Sequence, residues 1–221
     1  MPRSVRSSFS ERADGDLCID ADPTTLEARR QALAPGAWTW LRQVHGADVV
    51  TVTEPGEHAG AEADASVTTR PGAVLAVHTA DCAPVLLASG DGAVIGAAHA
   101  GWRGVVSGVL ERTVEEMARL GGTGVTAQVG PHIRARCYEF GVADLDEVAA
   151  RYGDTVRATT AWGTPALDVT AAVRAALGAL EVPVVDHGGC TACEPDRLWS
   201  HRARGDRSRM AATIAILDGA A

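Results

Sequence analysis

Residues 73–104 read AVLAVHTADCAPVLLASGDGAVIGAAHAGWRG. Ala73 to Thr79 has the pattern of a buried strand, continued by Val85 to Ala88, and Ser89-Gly90-Asp91-Gly92 is a turn signal. Ala93 to Ala98 returns as the partner strand, so Cys82 and His99 lie on either side of one turn. With Gly90 and Asp91 central, Cys82 faces His99 and their Cβ atoms are about 5 Å apart. With Asp91 and Gly92 central, Cys82 faces Gly101 and His99 faces Pro84. The two side chains still share a face, because strand side chains alternate with a period of two. Either register brings a thiol and an imidazole within reach of one small ion. Pro84 has no N–H to give a ladder, so pairing is expected to end or bulge beside them.

Outward from this hairpin the period changes. Apolar or methyl-bearing positions fall at Val106, Val109, Leu110, Thr113, Val114, Met117 and Leu120, one face of a helix. Gly121-Gly122 offers its stop. Val125 to Val129 predicts a strand and Val142 to Tyr152 a helix, and Asp168 offers a cap to an Ala-rich helix from Ala171 to Leu180. Val182 to Val185 predicts another strand. Arg197 to Arg202 and Ala211 to Leu217 predict the last two, with Gly205-Asp206 in the turn between them. Upstream, Trp38 to Val44 and Asp48 to Val52 predict strands around a His-Gly turn. Hairpins with interspersed helices imply a mixed-sheet α+β (mixed α/β) fold, not a strict βαβ series. The 221 residues carry no repeat and no dividing linker, so residues 1–221 read as a single domain.

Composition narrows the function. Aromatic residues are only 4%, so the core must be built from Ala, Val, Leu and Ile. All 20 basic residues are Arg, which suits phosphate binding but also reflects coding bias. The formal charge of -8 argues against broad binding of nucleic acid or anionic membrane. The N-terminal residues lack the apolar core of a signal peptide, and no apolar run approaches a membrane span, so a cytoplasmic protein is expected. Five cysteines, an odd number, argue against a disulfide framework.

A third ligand is needed beside Cys82 and His99. His45 ends the apolar run in LRQVHGADVV (41–50), just before Gly46, where a sheet-edge loop presents a side chain. His2Cys with an open fourth position is a recognised catalytic zinc set. The plainer alternative is a small core cysteine and a solvated loop histidine. His99-Ala100-Gly101-Trp102-Arg103-Gly104 leads into the helix, whose free N–H groups can bind an anion with help from Arg103; a simple turn is the alternative. Asp81 reads as a hydrogen-bond partner of a ligand or an acid/base, or as a structural acceptor. Cys190-Thr191-Ala192-Cys193 has CxxC spacing but no partner pair, which favours two unpaired structural thiols. His78 reads as a buried, hydrogen-bonded histidine; His58, His132 and His187 lack a spacing argument. The basic stretch at Arg197, His201, Arg202, Arg204, Arg207 and Arg209 is an anion site or a solvated face.

QVHGADVV, TADCAPVLL, AAHAGWRG, GPHI followed by CYEFG, and CTAC followed by LWSHRARGDRSRMAA occur in this order. Together they resemble the YfiH, or laccase-domain, family of purine nucleoside phosphorylases, formerly called multicopper polyphenol oxidoreductases. The resemblance runs from about Phe9 to Ile216. It implies one α/β domain with sheets sandwiched between helices, and a catalytic zinc on His45, Cys82 and His99, with copper as the alternative metal. The implied reaction is phosphorolysis of adenosine, inosine or guanosine to base and ribose 1-phosphate. Methylthioadenosine phosphorolysis and adenosine deamination accompany it; copper-dependent phenol oxidation and hydrolytic editing of peptidoglycan precursors are the alternatives, beside a non-enzymatic metal-binding module. Arg12 matches the arginine of the family's N-terminal motif and is an expected phosphate or substrate contact. Ser200-His201-Arg202 stands where the family has an SYR-like motif, which puts Arg202 with Gly101, Arg103 and Gly104 among the expected substrate contacts. Asp81 joins the triad as an expected catalytic group, and a monomer or homodimer is expected.

Overall fold

Residues 3–217 are described by the computed structural model. The decisive stretch forms β5 (Ala73–Thr79), a bend over residues 80–82, β6 (Ala83–Ala88) and β7 (Ile95–Ala100). Strand β5 is apolar from Ala73 to Val77 because both of its faces are covered. Val74 and Ala76 pack with Leu26, Leu33 and Trp38, while Leu75 and Val77 pack with Leu86, Ile95 and Ile214. The bend carries the chain from one sheet to the other, so Asp81 and Cys82 belong to the crossing, not to a continuous strand.

The first sheet runs β1 (Val5–Phe9), β12 (Met210–Ile216), β5, β2 (Ala37–Trp40). The second runs β11 (Val184–Asp186), β8 (Thr126–Val129), β6, β7, β4 (Ala65–Thr68), β3 (Val49–Val52). Both are mixed: β2 with β5, β3 with β4 and β8 with β11 are parallel pairs, and the others are antiparallel. Strands β9 (Arg157–Thr159) and β10 (Pro165–Leu167) form a separate ribbon. Helix α1 (Pro23–Leu33) covers the outer face of the first sheet. Helices α3 (Val109–Arg119), α4 (Val142–Tyr152) and α5 (Val169–Gly178) cover the outer face of the second through Leu110, Met117, Val148 and Val173. The mixed sheets sandwiched between helices are therefore present as expected.

The hairpin takes the register in which Pro84 pairs with His99. The helix expected across Val106 to Leu120 is two helices, α2 (Trp102–Ser107) and α3, broken where Gly108 adopts φ 89°. The strand expected over Arg197 to Arg202 does not form: the Ser200 side chain accepts from Ala203 N and caps the short helix α6 (His201–Arg204). Strand β2 stops at Trp40. Strands β1 and β4 and helix α1 carry weak alternation and were not expected, although Asp22-Pro23 is a regular helix start, with the Asp22 carboxylate accepting from Thr25 N. No helix among the described residues is long and apolar enough to cross a membrane.

Candidate metal centre

His99, only 3% exposed, stands one residue before the end of the interior strand β7. The 80–82 bend delivers Cys82, and the loop after β2 delivers His45, which is solvent-exposed with φ 60°. One ligand atom from each of the three lies within 4.8 Å of the others. His45 Nε2 is 3.7 Å from Cys82 Sγ, and the two imidazoles meet edge to face with centroids 4.8 Å apart. The sequence-predicted triad is thus one cluster.

What fixes it is a residue the sequence reading missed. Asp64, fully buried, accepts from His99 Nδ1 at 2.8 Å through Oδ1. The same carboxylate accepts from the backbone N–H groups of Val44, His45 and Gly46. One side chain therefore orients the His99 ring and clamps the loop that carries His45, leaving His99 Nε2 for the cluster. Hydrogen bonds to a charged acceptor contribute about 1.5–3 kcal/mol each, enough to hold a non-glycine residue at positive φ, which costs about 1–3 kcal/mol. Asp64 lies just before β4, whose burial on both faces leaves no alternation to mark it. The signal available was chemical: a buried metal-ligating histidine needs a carboxylate or carbonyl on its other nitrogen.

The donors are strongly coupled. Burial alone would raise the Cys82 thiol, but the neighbouring His99 and the hydrogen bonds from both imidazoles bring it down to about 6. Burial alone would lower His99, but the Cys82 charge and Asp64 raise it to about 9. Burial also works against ionised Asp64, which His99 and the Gly46 N–H nevertheless hold below the ordinary carboxylate value. Both shifts favour the thiolate–imidazolium form of the pair. The same donors suit a divalent cation, which binds a deprotonated thiol and a neutral imidazole.

Glycine spacing in HAGWRG serves packing. A Cβ on Gly101 would lie 2.6 Å from His45 Cδ2, and one on Gly104 would lie 2.8 Å from the Gly46 carbonyl. Neither lines the cleft above the cluster. That cleft, about 620 Å³, is lined by Arg42, Gln43, Arg103, Tyr138, His201, Arg202 and Arg209 as well as the triad. The Arg103 guanidinium stacks on Trp102 at 4.3 Å, and Arg202 lies 5.2 Å from the Tyr138 ring. Burial pushes Tyr138 up to about 12, so it remains a neutral O–H donor at ordinary pH. Arg42, Gln43 and Tyr138 were not picked out as contacts, and Arg209 only as part of the basic stretch; the packing of four loops brings them together.

Asp81 has φ 116° and is held by three donors at 2.6 Å: Thr191 Oγ1, Ser200 Oγ and Arg202 N. It ties the 80–82 bend to two C-terminal loops. Arg12 is not among the cleft residues; its guanidinium stacks on Trp199 at 3.7 Å and donates to the Pro195 carbonyl. His78 is buried as expected, but neither ring nitrogen has a hydrogen-bond partner, which corrects the hydrogen-bonded reading. Its backbone instead exchanges two 2.8 Å bonds with the Gln43 side chain. Burial and Arg30 lower the His78 ring to about 3, keeping it neutral on the cleft wall.

A family profile described as multi-copper polyphenol oxidoreductase laccase matches residues 12–217. The chain belongs to this laccase-domain family. It is 48% identical over 177 residues to a purine nucleoside phosphorylase of Streptomyces griseus, covering 74% of this chain and 70% of that one. It is 38% identical over 205 residues to a purine nucleoside phosphorylase of Mycobacterium bovis, covering 89% and 81%. A crystal structure of a Neisseria meningitidis protein superposes with a TM-score of 0.87 at 28% identity, covering 99% of each chain. The relatives' names support a laccase-domain enzyme of purine nucleoside phosphorylase type.

Proposed function

We propose that this laccase-domain chain is a zinc-dependent purine nucleoside phosphorylase, converting adenosine, inosine or guanosine and phosphate to free base and ribose 1-phosphate. The observation that carries the reading is a His2Cys donor set, preorganised by Asp64, at the floor of an arginine-lined cleft. His45, Cys82 and His99 would hold the cation. Two imidazoles and one thiolate suit zinc, which when bound supplies Lewis-acid stabilisation of charge developing on an oxygen. The rest falls to the protein's own groups. Arg103, Arg202 and Arg209 bind and orient phosphate by charge-assisted hydrogen bonds. A phosphate oxygen forms the bond to the anomeric carbon as the bond from that carbon to the purine nitrogen breaks; the purine leaves with the electron pair and takes up the proton that hydrogen phosphate gives up. Tyr138 donates a hydrogen bond within the cleft, and His78 gives an uncharged, unpartnered ring edge to the bound nucleoside. Asp81 acts by positioning Cys82 and Arg202. Arg12, stacked on Trp199, has no part in this reading.

Adenosine deamination and methylthioadenosine phosphorolysis belong to the same proposal as further activities of the one cleft. The protein is proposed to work in the cytoplasm, as a monomer or homodimer. Copper oxidase chemistry of the multicopper kind needs a histidine-rich centre, and no cluster among the described residues gathers three imidazoles. The test is zinc-loaded protein incubated with adenosine or inosine, with and without phosphate, and products separated by chromatography. Base release that depends on phosphate and is lost in Cys82→Ala is expected. Turnover no higher than in that variant would end the nucleoside reading.

A further inference from the structure

The CxxC stretch gains a third sulfur in the folded chain. Cys137 ends a short 3-10 turn, and its Sγ lies 2.9 Å from Cys193 Sγ, 56 residues away in sequence. Cys190, only 7% exposed, completes the group: the three sulfurs all lie within 4.8 Å of one another. The turn that presents the pair is closed on itself. Cys190 O accepts from Cys193 N and Glu194 N, and Glu194 Oε1 accepts from Cys190 N at 2.7 Å. Among the described residues no carboxylate joins the ligand group.

We propose that Cys137, Cys190 and Cys193 form a second metal site, a three-thiolate site for a soft cation of the zinc type. A set made only of sulfur disfavours hard cations, which take oxygen ligands. A disulfide would use two of the three sulfurs and strand the third. A cation about 2.3 Å from each thiolate sets the sulfurs about 3.8 Å apart. Cys137 and Cys193 must therefore part by about 0.9 Å, and Cys193 is exposed and able to turn. Each cation taken up displaces the three thiol protons to solvent, so affinity rises with pH. Cys137 also lines a cleft of about 550 Å³, together with Glu139, Trp162, Ala192 and Arg202.

The site also bears on the first one. Tyr138 follows Cys137 and faces the triad's cleft, and Thr191, inside the CxxC, donates to Asp81 beside Cys82. A cation here staples the two loops that flank the triad.

The experiment is anaerobic titration of the fully reduced protein with Zn(II), and with Co(II) as the spectroscopic probe. Wild type is expected to take up two equivalents. Cys82→Ala, which leaves the three thiols untouched, is expected to keep one equivalent and about three quarters of the thiolate-to-cobalt absorption, because three of the four thiolates remain. A Cys137→Ser, Cys190→Ser, Cys193→Ser variant is expected to keep the other equivalent and the remaining quarter. Uptake by wild type of a single equivalent that Cys82→Ala abolishes overturns the proposal. So does a Cys82→Ala protein without thiolate-to-cobalt absorption, or a Cys137–Cys193 disulfide that forms in place of metal uptake. None of these outcomes depends on nucleoside turnover, so this site and the proposed activity fail or stand separately.

Discussion

The molecule holds two clusters of soft ligands, and they are built in opposite ways. His45, Cys82 and His99 mix nitrogen and sulfur and run from exposed to buried, with all of their positioning gathered in one buried carboxylate, Asp64. Cys137, Cys190 and Cys193 form a group of sulfur alone among the described residues. Their loop is anchored a step away, where Arg134 donates to the Gly189 carbonyl and pairs through two 2.7 Å bonds with Asp186. The first cluster is fixed before a cation arrives; the second has an exposed member that must move. Preorganisation with an open position suits chemistry, whereas a set that closes on its ion suits a staple.

The largest effect separates the two directly. Cys82→Ala is expected to lower phosphate-dependent base release by more than about a thousandfold, since a metal ligand and a thiolate are lost together. Its thermal unfolding is expected to stay cooperative, checked by calorimetry. Asp64→Asn keeps the shape but removes the charge that orients His99. Zinc affinity at the first cluster is expected to fall about 10–100-fold, measured by chelator competition, with cation uptake by the three thiols unchanged. An equal fall at both clusters would mean that Asp64 serves the fold generally.

A smaller effect tests the packing of the floor. In Gly101→Ala the new methyl meets the His45 ring at 2.6 Å. Displacing that ring costs about 1–3 kcal/mol, so roughly tenfold weaker zinc binding is expected with little change in KM for phosphate. The smallest effect concerns the anchor of the other loop. Arg134 holds the Asp186 carboxyl at about 2, below the ordinary carboxylate value. A carboxyl lowered in the folded state stabilises it fully above pH about 4 and loses that contribution as the pH falls towards 2. Wild type is expected to lose about 1 kcal/mol more than Asp186→Asn across that window, read from urea unfolding at each pH.

Much of this was legible in the chain. The turn at Ser89 to Gly92 and the apolar runs beside it were enough to pair Cys82's arm with His99's, and the structure selects one of the two registers considered. His45 took its place through the family motif, not through spacing. Asp64 was hidden because β4 is short and buried on both faces, so nothing in residues 63–68 separates a buried acid from a loop acid. Cys137 was hidden for a different reason: its partnership with Cys193 spans 56 residues and has no local sequence pattern to mark it. HAGWRG was read as an anion cradle; the fold adds that a side chain at Gly101 or Gly104 would collide with the His45 loop. Arg197 to Arg202 looked like a strand until Ser200 acted as a cap.

The central claim is that the Asp64-oriented triad makes this chain a zinc-dependent nucleoside phosphorylase. Its most direct test is ribose 1-phosphate formed from inosine and phosphate by metal-stripped protein before and after one equivalent of zinc. The account predicts product only with both phosphate and zinc, and none from Cys82→Ala. Phenol oxidation by the copper-loaded protein, without any ribose 1-phosphate under zinc, would contradict it.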